Sequence, residues 1–450
     1  MSVFGAADRD LLLDLLALPT AGPLEGGPGA PAPALWEAQR RYAEAAAGLG
    51  FAVVHHAAPP PGCLARADVP LPVREAAATR ADFLDCQPGL VLALGPTAAP
   101  AGRTVMFNVH LDTVAGAGPV SFDGARFHGR GAIDAKGPAV ALLAGLRQAL
   151  REQPGLPRDT RVLVQAVSGE EGGALGTFGT RLLVEAGHHG RLNVFCEPTG
   201  GRALLRCTAA MTARIRVHGR DAIDDRPGTG HNATVLLGHL AAHLAAALDP
   251  RLDPAEGQVC VAGLHTGTLH NRVYGEGQLL LNLSYGSAAA GQRLERLVSA
   301  AVAGGLRSFR AEFAASPRFG RTAADAADIV RLDWLKRGLP VLDGDPSWLA
   351  PLLHRAGVPL WPAAEPGFTC DAIWMSGVPG AHTVVLGPGR LDTNRAHAEG
   401  EFAELTELDA FAATVPRLLA AFRSAPADDV PRVPPPARPA QSPAHTAPPP

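Results

Sequence analysis

The sequence predicts an α/β fold in which a mainly parallel-sheet domain is interrupted by an inserted, ferredoxin-like α+β domain. Three observations carry this. Short apolar runs alternate with helical runs as far as Cys196, the pattern of strand–helix units over a parallel sheet. From Cys207 to Trp334 the order changes to strand, helix, strand, strand, helix, strand. Signals of the first kind then resume at Pro346. The expected division is 1–206 and 337–423 for the main domain, 207–336 for the insertion, and 424–450 for a disordered Pro-rich tail.

Taken in order, MSVFGAADRDLLLDLLALPT reads as an amphipathic first helix. Asp interrupts its apolar stretch, and neither a basic segment nor a cleavage site marks it as a signal peptide. A Pro/Gly-rich loop, 21–33, precedes a helix at Ala34–Leu49 and a strand at Phe51–His55. Strands are expected again at Leu90–Leu94 and Thr104–His110, the latter β-branched and bounded by turn residues. Helix Gly137–Leu150, strand Arg161–Ala166, loop Ser168–Gly176, helix Thr177–Ala186 and strand Leu192–Cys196 follow. The insertion reads as strand Thr208–His218, helix Asn232–Leu248, strands Gln258–Gly267 and Gln278–Tyr285, helix Gln292–Gly305 and strand Asp328–Trp334. Helix Pro346–Ala356, a turn-helix at Gly367–Met375, strand Thr383–Leu386 and helix Glu401–Phe422 complete the chain.

The 450 residues suffice for two or three domains, with the apolar and charged fractions of a soluble globular protein. A net charge of −3 and the lack of any Lys/Arg cluster argue against a nucleic-acid partner. No apolar run approaches the roughly 18 residues that span a bilayer. The six cysteines show no CxxC spacing and read as reduced, packed thiols of a cytoplasmic protein.

The chemistry gathers at the ends of the expected strands. Strand Thr104–His110 runs into His110-Leu-Asp112, whose two polar side chains share one strand face. That suits a metal-binding imidazole with a carboxylate to fix it. A Gly-rich turn then delivers Asp134 in GRGAIDAKG. Strand Arg161–Ala166 leads to Glu170 and Glu171 among glycines, and strand Leu192–Cys196 leads to Glu197. Late in the chain His397 appears in AHAEGE. Two imidazoles and these carboxylates form an N/O donor set suited to Zn²⁺, or to Co²⁺ or Mn²⁺.

HLDTV (110–114), GRGAIDAKG (129–137), SGEEGG (168–173), CEPT (196–199), TCDA (369–372) and the GPG…AHAEGE block (387–401) together resemble the M20 metallopeptidases. That is the group of acetylornithine deacetylase, succinyl-diaminopimelate desuccinylase and carboxypeptidase G2. The resemblance covers roughly residues 8–422, with the motifs in family order. It implies a zinc-peptidase catalytic domain carrying a lid and dimerisation domain. Position by position, it implies that His110, Asp134 and Glu197 hold one divalent ion. Asp134, Glu171 and His397 would hold a second, with Asp134 bridging. Asp112 would orient His110, and Glu170 would be the general base. It further implies a cis peptide after Asp134, rare outside proline. The activity implied is hydrolysis of the amide of an N-acyl amino acid or small peptide-like substrate.

The insertion departs from the family pattern. The lid histidine of G-x-x-x-H-x-x-x-P is replaced by Ile223, with His231 as a candidate substitute and His218 also near. The usual carboxylate-gripping Arg is replaced by Ser284. Asn271 keeps a family residue, and Arg272 is a candidate for the missing charge. These changes leave two alternatives open: a specialised amidase of secondary metabolism or carrier-protein release, and a catalytically impaired member acting as a binding or regulatory protein. A related co-catalytic zinc aminopeptidase is disfavoured by the insertion and by Glu197. The resemblance implies a homodimer built through the insertion; with Ile223 at the lid position, a non-catalytic dimer or none are the alternatives.

Overall fold

The apolar runs become the strands of two sheets. In the computed structural model, residues 2–426 are described apart from 28, 67, 98–100, 117 and 253–256, so most of the expected tail lies outside the described residues. Five strands come first: β1 (Ala52–Ala57), β2 (Gly89–Leu94), β3 (Thr104–His110), β4 (Arg161–Val167) and β5 (Leu192–Phe195). The inserted region contributes β6 (Ala209–His218), β7 (Gly257–His265), β8 (Glu276–Tyr285) and β9 (Val330–Lys336), and β10 (His382–Val385) returns to the first sheet.

The six-stranded sheet has the order β1-β2-β4-β3-β5-β10. Strands β4, β3, β5 and β10 run parallel, whereas β1 and β2 add antiparallel pairings at one side. The central strands are buried almost along their whole length, as their mainly apolar sequences require, and the polar Asn108 and Gln165 among them pair with each other. Helix Lys136–Glu152 covers one face and is itself packed under helix Leu405–Arg423. The two come so close at Gly145 that a Cβ there would lie 2.6 Å from the carbonyl oxygen of Ala412.

The inserted sheet has the order β7-β8-β6-β9, antiparallel throughout, with helices Ala233–Leu248 and Ala288–Phe313 on one face. This is the anticipated β-α-β-β-α-β arrangement. Alternate residues of β6 (Met211, Ala213, Ile215, Val217) face the helices, and Thr212, Arg214 and Arg216 face the other way.

Several elements differ from expectation. Helix Ala288–Phe313 runs well beyond Gln292–Gly305, and helix Gly320–Ile329 occupies what reads as a connection. Helix Leu71–Thr79 was hidden among prolines, one of which sits in its first turn. The expected helix Glu401–Phe422 splits into a short strand, Phe402–Glu404, and a helix from Leu405; the strand exists because it pairs with Arg126–His128. All six cysteines are free and only Cys260 is exposed. Among the described residues no helix is long and apolar enough to cross a membrane.

Candidate metal centre

Parallel pairing explains why distant residues meet. His110, the last residue of β3, lies level with Val167 of β4, three residues before Glu170. Asn108 lies level with Phe195 of β5, so Glu197 emerges beside His110. In parallel sheets side chains beyond the strand C-termini collect at one edge, the usual place for a site. The Glu170–Glu171 loop is closed tightly by Gly176 N donating to Gly169 O at 2.7 Å. Only glycine fits at 169, where φ is +78° and a Cβ would lie 2.3 Å from the Phe178 ring.

Asp134 is delivered by its own staple. The Glu401 carboxylate accepts from Ile133 N at 3.1 Å and Asp134 N at 3.2 Å, and is held by Arg130 Nη1 at 2.7 Å. The Asp134–Ala135 peptide is cis, as anticipated. His397 arrives on a loop with a left-handed backbone, φ +63°, which turns its ring toward Asp134.

Both anticipated triads are assembled. His110, Asp134 and Glu197 offer donor atoms within 4.8 Å of one another, as do Asp134, Glu171 and His397. His110 Nε2 stands 2.9 Å from Asp134 Oδ1 and 3.7 Å from Glu197 Oε1. His397 Nε2 stands 2.9 Å from Asp134 Oδ2 and 3.0 Å from Glu171 Oε1. Asp134 thus gives one oxygen to each group.

The ring chemistry fits a cation. His110 Nδ1 lies 2.9 Å from the carbonyl oxygen of Asp112 and must donate to it, so in the neutral ring the Nε2 lone pair faces carboxylate oxygen. Only a proton or a metal ion makes that arrangement favourable. The Asp112 carboxylate acts differently: Oδ2 accepts from Glu171 N at 3.0 Å, while Oδ1 is buried, unpartnered and 3.7 Å from His110 Nδ1. Asp112 therefore positions His110 through its backbone and Glu171 through its side chain.

Crowded carboxylates without a cation hold their protons. Burial pushes Glu171 up to about 7 and Glu197 up to about 8, and lifts Glu170 well above the usual range with help from the Glu171 charge. His397 is pushed up to about 10 by its bonds to Asp134 and Glu171. Burial opposes charging of His110, but Glu197, Asp112 and Asp134 outweigh it and hold the ring protonated. Asp134 stays well below the ordinary range: burial opposes this, but the two imidazoles win. Replacing the protons with divalent ions would satisfy every donor at once.

A third carboxylate group escaped the sequence reading. Glu170, Glu197 and Asp371 also converge within 4.8 Å, with Asp371 tied to the Thr180 hydroxyl. Asp371 belongs to the TCDA motif, which gave no hint of its role without the fold.

A family model described as peptidase family M20/M25/M40 matches residues 106–421. The chain belongs to this family. A curated protein of Aeropyrum pernix, described as a candidate LysW-lysine/LysW-ornithine hydrolase, is 34% identical over 160 residues, 35% of this chain. The match spans only 43% of that relative's length. An M20 family metallo-carboxypeptidase from Sulfolobus solfataricus superposes with a TM-score of 0.64 at 12% identity, covering 93% of this chain and 99% of that one. A dinuclear metal-binding M20 peptidase from Bacillus subtilis gives a TM-score of 0.56 at 12% identity, covering 93% and 97%. These likenesses show the fold.

The insertion of this M20 protein treats the remaining candidates differently. His231 is buried; its Nδ1 accepts from Arg220 N at 2.8 Å and its Nε2 bonds Asp325 at 3.0 Å, so both nitrogens serve the insertion itself. Asn271 lies exposed in a bend, and Arg272 is exposed at the start of the short strand Arg272–Val273. Arg272 is ion-paired with Asp221 and stacks over Tyr274, 5.1 Å to the ring centroid. Ile223 is 58% exposed and sits in register with Arg272 on a two-residue ladder.

Proposed function

We propose that this chain is a dinuclear metal-dependent amidohydrolase that cleaves the amide bond of an N-acyl amino acid or small peptide. The observation that carries the reading is Asp134 facing two imidazole–carboxylate groups at once, with Glu170 beside them. His110, Asp134 and Glu197 would hold one ion, and Asp134, Glu171 and His397 the other, with Zn²⁺ the first choice and Co²⁺ or Mn²⁺ admissible. Bound ions supply an acidified water and a Lewis acid for the carbonyl. Glu170 takes the proton of the attacking water and returns it to the leaving amine. A raised pKa suits a group that must hold a proton between those two steps.

The segments 1–206 and 337–423 are assigned to the catalytic domain and 207–336 to a lid. The printed name of the Aeropyrum pernix relative supports an amino acid released from a carrier protein as one substrate to try. Free thiols support a reducing, cytoplasmic setting. The test is a screen of the Zn²⁺- or Co²⁺-loaded full chain against N-acyl amino acids, dipeptides and carrier-linked amino acids. Turnover abolished by chelation and restored by metal is expected; two bound ions with no turnover on any amide would overturn the reading.

A homodimer through the insertion is part of this proposal. Strand β7 is a sheet edge with Val261 and Leu264 each 40% exposed, a surface that another chain's strand can extend. Light scattering of Val261→Lys should then report a monomer where the natural chain is a dimer. A natural chain that is already monomeric discards the dimer.

A further inference from the structure

Lys336 is the last residue of β9, paired with Thr212 of β6, where the chain leaves the insertion for the catalytic domain. Its side chain reaches across to the loop that carries Glu170 and Glu171. A Cβ built on Gly173 would lie 3.8 Å from the Lys336 ammonium, and beyond the flanking residues no other described atom lies within 4 Å of that point. The glycine thus leaves a slot open in front of the charge. The Glu170 carboxylate is the charge that favours this ammonium, and among the described residues no carboxylate comes within ion-pair distance of it.

A partly buried ammonium with no direct counter-ion is costly, and an anion entering beside it recovers that cost. The other candidate cation, Arg272, is exposed and already paired with Asp221, and position 284 holds Ser. We propose that Lys336 grips a carboxylate of the substrate, which restricts the enzyme to amides bearing a free carboxylate close to the scissile bond. The ammonium also offsets the repulsion that Glu170 exerts on such an anion. This inference rests on the amidohydrolase reading and adds to it the residue that selects carboxylate-bearing substrates in this chain.

The test compares each N-acyl amino acid with its carboxamide on the Zn²⁺-loaded natural chain, Lys336→Gln and Lys336→Arg. The natural enzyme should prefer the acid. In Lys336→Gln, KM for the acid should rise about 10- to 100-fold with kcat little changed, and the preference over the carboxamide should collapse. Lys336→Arg should keep much of the preference. Equal losses on acid and carboxamide, or an unchanged ratio, would overturn the assignment. Calorimetric binding of an N-acyl amino acid to the same three proteins reads Lys336 without turnover. Binding weakened in Lys336→Gln but no hydrolysis by the natural chain supports the grip and rejects the hydrolase; equal binding by all three rejects the grip alone.

Discussion

Glu170→Gln is expected to leave the fold and both ions in place while lowering kcat about 10²- to 10⁴-fold, the range for loss of a positioned acid–base group. Gln keeps the shape of Glu and cannot take a proton from water. Neither of the two groups that share Asp134 includes Glu170, so metal content by elemental analysis should stay at the natural level. His397→Ala should do the reverse: it removes a donor that lies 2.9 Å from Asp134 and 3.0 Å from Glu171, so one ion is lost. Unchanged turnover in Glu170→Gln removes the residue from the mechanism. Loss of both ions in the same variant recasts it as a ligand, a role that its nearness to His110 and Glu171 also permits.

What could be read from the chain was set by local order. Strand β3 is buried, β-branched and ended by turn residues, so both the strand and the place of His110 at its end were legible. The same holds for β4 with Glu170 and Glu171, and for β5 with Glu197. Convergence of His110 with His397 was legible only through motif resemblance, because nearly 290 residues separate them and no local rule spans that distance. Residues whose partners are remote escaped. Glu401 stood in the quoted AHAEGE block, yet nothing local shows that its carboxylate caps the amides of Ile133 and Asp134. Lys336 lies two residues beyond the expected strand Asp328–Trp334, and nothing local marks it; only the fold brings it to Gly173. The strand Phe402–Glu404 failed for the same reason: three residues carry no periodicity, and only pairing with Arg126–His128 defines them. His231 and Arg272 were singled out for charge and spacing, and the fold shows each already engaged within the insertion.

The metal-free protein is expected to lose stability as pH rises from about 5 to about 9, and divalent ions should reverse that trend. Free carboxyls of this kind titrate near 4.3 when unfolded. In the folded chain burial holds Glu171 near 7 and Glu197 near 8, and Glu170 also lies well above its ordinary value. Between those limits these carboxyls bind more protons in the folded state than in the unfolded state, so together they lower stability with increasing pH. Lys136, which burial pushes down to about 7, opposes them only in the upper part of the range. His397, pushed up to about 10, adds in the same direction as the carboxyls: its contribution is complete below its unfolded value near 6.5 and is lost toward 10. Asp134 works oppositely, but its stabilisation is already complete above about 4. Ions that replace the protons bind more tightly as pH rises, because each must displace fewer of them. At a hundredfold excess over Kd such binding adds about 2.7 kcal/mol to the folded state. Melting curves of EDTA-treated protein should therefore show Tm falling across this range, and Zn²⁺ should raise Tm more at pH 8 than at pH 6. A metal-free Tm that is flat or climbs with pH, or a Zn²⁺ effect that shrinks toward pH 8, would mean that these carboxylates are not crowded as the triads require.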